Sequence, residues 1–170
     1  MRQHFQMFAA YNRWANALVY EATAALSEED QNRDMGAFFG SLMGTLNHLL
    51  VTDRIWLKRF TGEGAAPAAL DTILYPDFVG LRGAREAEDA RIVDWIGSLS
   101  KEDLAGRFTY VTATDMRTIS QRLAPALAHF FNHQTHHRGQ AHAMLTALGQ
   151  PSLRLDLVYF QRMEEGRAFA

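Results

Sequence analysis

Histidines are concentrated near the C-terminal end of this 170-residue chain. Five of the seven histidines lie between positions 129 and 142, and they are His129, His133, His136, His137 and His142. Neutral imidazoles are common ligands for divalent transition metals. The chain has no cysteine, so any metal site must be built from His, Asp or Glu. The lack of cysteine also excludes disulfides, thiolate nucleophiles and iron–sulfur clusters.

The spacing of these histidines allows more than one ligand pair. Residues four apart on a helix lie one above the other on the same face, so His129 with His133, or His133 with His137, could bind one ion. His133 with His136 is a weaker third alternative. The three residues His129, His133 and His137 do not easily serve one ion, because a rise of roughly 1.5 Å per residue separates the outer two by about 12 Å. At most one pair is used, and a further ligand must come from another helix.

His48 is the natural candidate for that further ligand. It stands among apolar residues in Leu46-Asn47-His48-Leu49-Leu50, so we expect it to face inward. Taken alone, such a residue is more often a core histidine bonded to a carbonyl or carboxylate. Beside an inward His-x-x-x-His pair, the metal-binding interpretation is favoured. Three neutral imidazoles suit zinc, nickel, copper or ferrous iron and leave coordination positions open for water or substrate.

Hydrophobic periodicity predicts four long helices to position these histidines. They cover about residues 3–26, 41–60 and 78–99, with a last helix that begins between Ser120 and Pro125 and ends at Leu148. Asp77 is the expected N-cap of the third helix, and Gly62 and Gly149 are expected helix stops. Residues 62–76 are rich in Gly, Ala and Pro and predict a long loop. The sequence therefore predicts an all-α four-helix bundle with one long crossover loop, a single domain over residues 1–170.

Three smaller features complete the predicted architecture. Residues 108–112 and 116–120 can pair as a short hairpin across 113–115, just before the last helix. The tail around residues 155–160 is expected to pack back on the body as an extended segment or short turn. The charged side of the third helix is expected to be a solvated face, and it comprises Arg82, Arg85, Glu86, Glu88, Asp89 and Arg91.

The composition limits the expected partners and location. The formal net charge is only -2 and no cluster of Lys or Arg stands out, so there is no electrostatic reason to expect binding to nucleic acid or to a membrane surface. No stretch is long and apolar enough to span a bilayer, and the N-terminus has no signal-peptide core. A cytoplasmic protein is expected.

Three motifs resemble those of the DinB/YfiT-like family of metalloenzymes, and the likeness covers nearly the whole chain. They are Tyr11-Asn12-Arg13-Trp14-Ala15-Asn16, Leu46-Asn47-His48-Leu49-Leu50-Val51-Thr52-Asp53-Arg54-Ile55-Trp56-Leu57 and, most specific, Asn132-His133-Gln134-Thr135-His136-His137-Arg138-Gly139-Gln140. The resemblance implies a four-helix bundle, commonly a homodimer, with one metal-binding His on the second helix and a His-x-x-x-His pair on the last. Those positions fall on His48, His133 and His137. The resemblance thereby sets aside His129 and His136 as ligands.

The activity implied by the resemblance is less specific than the metal site. Characterised relatives include enzymes that transfer or isomerise groups with low-molecular-weight thiols such as bacillithiol or mycothiol, while many members have no assigned reaction. We therefore expect a zinc, nickel or iron site that activates water or a thiol for hydrolysis or group transfer on a small molecule. A non-catalytic metal-binding stress-response protein is the alternative. A structural bundle with a fortuitous histidine cluster is a third hypothesis.

Several residues near the candidate ligands are expected to support the site or the packing around it. Asp53 and Arg138 are expected either to orient a ligand imidazole or to form an ordinary surface ion pair. Asn12 and Asn16 lie one helical turn apart and are expected to face the site or a dimer partner. Gly139 is expected to allow close helix packing beside the site.

Overall fold

A computed structural model describes residues 1–112 and 116–170 of the chain. Its elements are, in order, α1 (Arg2–Ala24), α2 (Glu28–Asn32), α3 (Leu42–Thr61), α4 (Phe78–Ser98), α5 (Lys101–Ala105), β1 (Arg107–Val111), β2 (Thr118–Arg122), α6 (Leu123–Ala147), α7 (Leu157–Arg162) and a 3-10 turn (Arg167–Phe169). The long helices α1, α3, α4 and α6 correspond to the four that periodicity predicts, so the all-α fold is confirmed. No helix in the described part of the chain combines the length and the apolar character needed to cross a membrane.

The ends of the long helices follow local capping chemistry. The side chains of Ser41 and Asp77 accept hydrogen bonds from backbone N–H groups of the first turns of α3 and α4, at 3.1 and 2.7 Å. α3 ends at Gly62, whose φ of 79° lies in the left-handed region that favours glycine. α6 begins at Leu123, inside the predicted interval, and Pro125 falls in its first turn, where no N–H donor is needed.

The predicted hairpin is present with both strands shifted. β1 and β2 pair antiparallel, with Phe108 opposite Gln121 and Tyr110 opposite Ile119. Val111 pairs with Thr118, so the second strand begins two residues later than predicted. Pairing continues to the start of α6, where the Leu123 N–H donates to the Gly106 carbonyl at 3.1 Å. The predicted turn at 113–115 lies outside the described residues.

The C-terminal tail packs back on the body as predicted, but residues 157–162 form the helix α7 in place of the expected extended segment or short turn. A helical turn brings Leu157 and Phe160, three residues apart, onto one side against α1. The ring of Phe160 is fully buried and lies 6.1 Å from Tyr11 and 5.7 Å from Trp14. Burial of this aromatic side chain on α1 explains why the segment folds.

Buried polar residues on each long helix lie between two apolar segments. These residues, named here the polar layer, are Asn12, Asn16, Asp53, Arg85, Asp89, Gln134 and Arg138. Along α1 and α6, residues of the apolar cluster that contains Phe5 and Phe130 come before the polar layer. Along α3 and α4, residues of the other apolar cluster, which contains Leu42 and Leu81, come first. α3 and α4 therefore run in the same direction, opposite to α1 and α6. Because α3 and α4 are parallel, the chain must run back along the length of the bundle between them, and residues 62–76 form this connection.

The polar layer shows that the prediction of a solvated charged face on α4 is wrong. Arg85, Glu88 and Asp89 are 2%, 6% and 4% exposed. The other three charged residues of that face, Arg82, Glu86 and Arg91, do reach solvent. The prediction failed because periodicity on one helix treats every charge as outward, whereas these charges are balanced by partners on neighbouring helices.

Candidate metal centre

α3 and α6 bring His48, His133 and His137 together at one place where they could hold a metal ion. One ring nitrogen from each residue lies within 4.8 Å of those of the other two. The ring centroids are separated by 5.3 Å for His48 and His133, 4.5 Å for His48 and His137, and 4.4 Å for His133 and His137. Converging nitrogens from two helices are the arrangement that an imidazole metal site requires. These three residues are called the triad below.

Two rings of the triad are oriented by hydrogen bonds through Nδ1. The Nδ1 atom of His48 lies 2.8 Å from the Leu70 carbonyl oxygen, and that of His137 lies 2.7 Å from Oε1 of Gln140. A carbonyl oxygen can only accept, so each Nδ1 donates and the free lone pair is on Nε2. Nε2 of His48 is buried without a hydrogen-bond partner among the described residues. A buried lone pair of this kind fits a metal ion at the centre of the triad.

Burial favours the neutral form of all three imidazoles. It lowers the pKa of His48 and of His137 below the ordinary value of 6.5, against the opposing effect of their hydrogen bonds. The pKa of His133 falls to about 3, because burial acts together with repulsion from the neighbouring imidazoles, chiefly His137. A ligand imidazole must be neutral, so protons compete only weakly with a cation at this site.

Phe39 covers the triad from the loop that precedes α3. Its ring stacks on His48 with centroids 3.8 Å apart and planes 19° apart, and it meets His137 edge-on at 5.6 Å. The Phe39 carbonyl lies against Gly44 in the first turn of α3, where a Cβ atom would collide with it. Gly44 therefore lets this loop lie close over the site.

The other histidines of α6 lie apart from the triad. The rings of His129 and Trp56 are 5.2 Å apart, and His129 is exposed. His136 is exposed too, although its ring lies 4.7 Å from that of His137. His142 accepts the Leu153 backbone N–H at 2.9 Å. Of the pairs that spacing alone allows, the described geometry joins His133 and His137 to His48.

Asp53 and Arg138 belong to the polar layer, so neither expected role is correct. They are 1% and 2% exposed, and neither is hydrogen-bonded to a triad imidazole in the described part of the chain. Asp53 lies 2.6 Å from Arg85, while Arg138 donates to the side-chain oxygens of Asn12 and Asn16 at 2.6 and 3.0 Å. The two asparagines therefore face the polar layer and not the triad.

The polar layer determines the rotation of α6. Gln134 and Arg138 each follow a triad histidine by one residue, which is about 100° further round the helix. The Gln134 amide donates to Asp53, and the Arg138 guanidinium lies 5.1 Å from the centroid of the Tyr11 ring. With these two side chains held in the polar layer, the adjacent histidines are directed toward α3.

Sequence reasoning missed Leu70, Gln140 and Phe39. Gln140 follows His137 by three residues, and that helical spacing was a readable signal for a contact. Leu70 acts through its backbone carbonyl, which no side-chain pattern reveals. The expectation for Gly139 is wrong, because a Cβ atom there would meet nothing within 4 Å.

A cavity of about 830 Å³ lies between the C-terminal part of α3, the crossover loop and β1. Leu70 links it to the triad, because Leu70 lines the cavity and its carbonyl accepts the His48 hydrogen bond, whereas none of the three triad histidines is part of the lining. Its other walls are mainly apolar and aromatic and include Ile55, Phe60, Phe108 and Tyr110. Such a volume is within the range of small-molecule sites.

Comparisons with known proteins bear on what this site is. The model of the DinB family matches residues 1–168. Protein DinB of Bacillus subtilis (strain 168) is 24% identical over 149 residues, which cover 86% of this chain and 87% of that protein. No solved structure gives a significant match.

Proposed function

Because the chain belongs to the DinB family, we propose that it is a metal-dependent enzyme in which His48, His133 and His137 bind zinc, nickel or iron. The observation on which this proposal depends is the buried Nε2 of His48, which faces two neutral imidazoles and has no hydrogen-bond partner among residues 1–112 and 116–170. The proposed reaction is hydrolysis or group transfer on a small molecule, with water or a low-molecular-weight thiol as the nucleophile. A divalent transition metal supplies Lewis acidity, which lowers the pKa of such a nucleophile.

The residues around the triad would supply orientation and shielding. Leu70 and Gln140 fix the tautomers of His48 and His137 through Nδ1, so that Nε2 is the ligand atom. Phe39 excludes water from one side of His48 by stacking on it. In the described part of the chain the cluster contains three candidate ligand residues, whereas structural zinc sites commonly have four. A three-residue cluster therefore supports an open, reactive site.

The adjoining cavity favours an enzyme over a non-catalytic metal-binding stress-response protein. A volume of about 830 Å³ is large enough for a thiol together with a second small molecule. A protein that only stores or senses a metal has no need for such a space beside its ligands. The proposed enzyme acts in the cytoplasm, and the family resemblance favours a homodimer.

Metal content and activity of two matched variants test the proposal. His137→Ala removes a proposed ligand, while His136→Ala removes an exposed neighbour on the same helix. Zinc, nickel and iron are measured in chelator-free preparations, and the loss of 1-chloro-2,4-dinitrobenzene is followed with and without cysteine as the probe thiol. We expect wild type and His136→Ala to contain metal and consume the electrophile, and His137→Ala to do neither.

Two results would count against this proposal. Full metal content and full activity in His137→Ala would show that the site assignment is wrong. Metal-loaded wild type that consumes no electrophile, with thiol or with water, would support the non-catalytic alternative.

A further inference from the structure

Arg59 is a cation in the wall of the cavity, and it has no anionic partner among the described residues. Its guanidinium lies 4.8 Å from the centroid of the Trp56 ring and 4.6 Å from that of Tyr110. Within residues 1–112 and 116–170, no carboxylate lies within ion-pair distance of it. Arg54 and Arg91, which flank the same region, both pair with Glu88. A partly buried guanidinium stacked on aromatic rings retains its hydrogen-bond donors for a ligand.

The charge of the cavity lining is entirely positive in the described residues. Lys58 and Arg59 line the cavity together with apolar residues, threonines, glycine and proline, and no Asp or Glu is among them. A cation beside apolar walls is stabilised when an anion enters, since the low local dielectric strengthens their attraction. The cavity therefore suits a negatively charged ligand.

The position of Arg59 in the last turn of α3 does not by itself explain why its guanidinium points toward the cavity. Cations in the last turn of a helix interact favourably with the free carbonyl groups there. Lys58 can fulfil that role from the exposed side of α3. The guanidinium of Arg59, one residue later, instead lies against the rings of Trp56 and Tyr110 at the cavity wall.

Arg59 also lies on the same face of α3 as the triad ligand His48. The two are eleven residues apart, which is close to three full turns and about 16 Å along the axis. Ile55 lies between them and lines the cavity. Long side chains lean toward the helix N-terminus, so Arg59 extends over Trp56 in the direction of the triad. A ligand that contacts both Arg59 and the triad must be elongated, and its middle part must be apolar.

We propose that Arg59 binds the acidic group, a carboxylate, phosphate or sulfonate, of an elongated substrate whose apolar or aromatic body fills the cavity. That this ligand is a substrate rests on the proposed function, whereas binding of an anion at Arg59 does not require a metal. The planar guanidinium can donate two parallel hydrogen bonds to such a group. Phe60, Phe108 and Tyr110 provide the surface for the apolar body.

Two fluorescent probes with the same aromatic body test this inference. 8-Anilinonaphthalene-1-sulfonate has an acidic group, and N-phenyl-1-naphthylamine is its neutral counterpart. Both are titrated into the full chain in the presence of a chelator, using wild type, Arg59→Met, Arg59→Lys and Arg154→Met. Arg154 is a matched control, because it is exposed and lies 5.6 Å from the Tyr159 ring, outside the cavity lining.

We expect Arg59→Met to weaken binding of the sulfonate probe about tenfold or more, the usual effect of losing hydrogen bonds to a charged group. Arg59→Lys should retain part of the affinity, and Arg154→Met should match wild type. Affinity for the neutral probe should be the same in all four proteins. Unchanged sulfonate binding in Arg59→Met, or an equal loss for both probes, would overturn the proposal.

The design separates this inference from the proposed enzyme activity. If Arg59→Met does not fold, as judged by circular dichroism, Arg59→Lys alone decides, and identical sulfonate binding in Arg59→Lys and wild type would reject the anion site. The titrations use metal-free protein, so they test the anion site even if the activity assay shows that the protein is not an enzyme. In an active enzyme, Arg59→Met should raise KM for an acidic electrophile but not for its neutral ester.

Discussion

Arg85 of α4 and Asp53 of α3 form an ion pair of 2.6 Å in the middle of the bundle, with 3% and 1% of their side chains exposed. Arg85 also lies 3.1 Å from Asp89, which accepts a hydrogen bond from Asn16 at 3.0 Å. Burial raises the pKa of Asp53, while the charge and the hydrogen bond of Arg85 act to lower it. With Arg138 as the second cation, two carboxylates face two guanidinium groups, and the polar layer is neutral overall.

Arg85→Met should be strongly destabilising. It leaves Asp53 and Asp89 buried with one cation fewer, and breaking a buried ion pair by removing one partner costs about 3–5 kcal/mol. The free energy of unfolding is measured by urea denaturation. Arg82→Met, on the exposed side of the same helix, is the control and should leave this free energy almost unchanged. An equal loss of unfolding free energy in Arg85→Met and Arg82→Met would show that the buried ion pair stabilises the protein no more than a surface pair does.

Gln140→Leu should weaken metal binding without unfolding the protein. It removes the acceptor of the His137 Nδ1 hydrogen bond, and loss of such a partner reduces metal affinity by about 10–100-fold. Affinity is measured by competition with a coloured chelator. Gln3→Leu, an exposed glutamine on α1, should bind metal like wild type. Wild-type affinity in Gln140→Leu would mean that this hydrogen bond does not prepare the ligand.

The stability of the metal-free protein should depend on pH through His133. Its pKa is about 3 in the folded protein and 6.5 in an unfolded chain. Between these values the unfolded chain binds a proton that the folded protein does not, so stability is lost as the pH falls below about 6.5. His133→Asn cannot take up this proton. The stability of wild type relative to His133→Asn should therefore decrease at acidic pH.

Urea denaturation in the presence of a chelator, at about pH 8, 6.5 and 5, measures this difference. A difference in the free energy of unfolding that is the same at all three pH values would contradict the assignment of His133 as a neutral buried imidazole.

Two Gly→Ala substitutions should have opposite effects. Gly44→Ala places a methyl group against the Phe39 carbonyl, so the loop over the triad must move and metal affinity should fall. Gly139→Ala meets open space on α6 and should raise the free energy of unfolding by up to about 1 kcal/mol, through better helix propensity. Thermal unfolding and chelator competition measure both. Tighter metal binding by Gly44→Ala would contradict the covering role of Phe39.

Helix bounds and caps could be predicted from the sequence because they depend on nearby residues. The N-cap at Asp77 and the stop at Gly62 both follow from the chemistry of a few neighbours. Burial of Arg85 could not be predicted in this way, since on its own helix it looks like the exposed Arg82. What distinguishes the two residues is the carboxylate of Asp53 on α3, and that pairing exists only after the helices assemble.

The candidate site was partly accessible from the sequence for a similar reason. Helical spacing limited the ligand pairs to those that include His133, and the motif resemblance indicated His137 as its partner. The contribution of Leu70 depends on where the crossover loop places a backbone carbonyl, 22 residues away along the chain. A carbonyl group is the same in every residue type, so no sequence pattern could identify it.

The cavity and the triad share α3 and Leu70, but the rest of each is built from different segments. The triad stands on α3 and α6, whose rotation depends on the polar layer, whereas much of the cavity wall comes from the crossover loop and β1. Substitutions, insertions or deletions in those outer segments can reshape the cavity and leave the buried charges untouched. In the proposed enzyme, ligand selectivity could therefore change through β1 and those parts of the crossover loop that do not contact His48, while the helices that carry the triad stay the same.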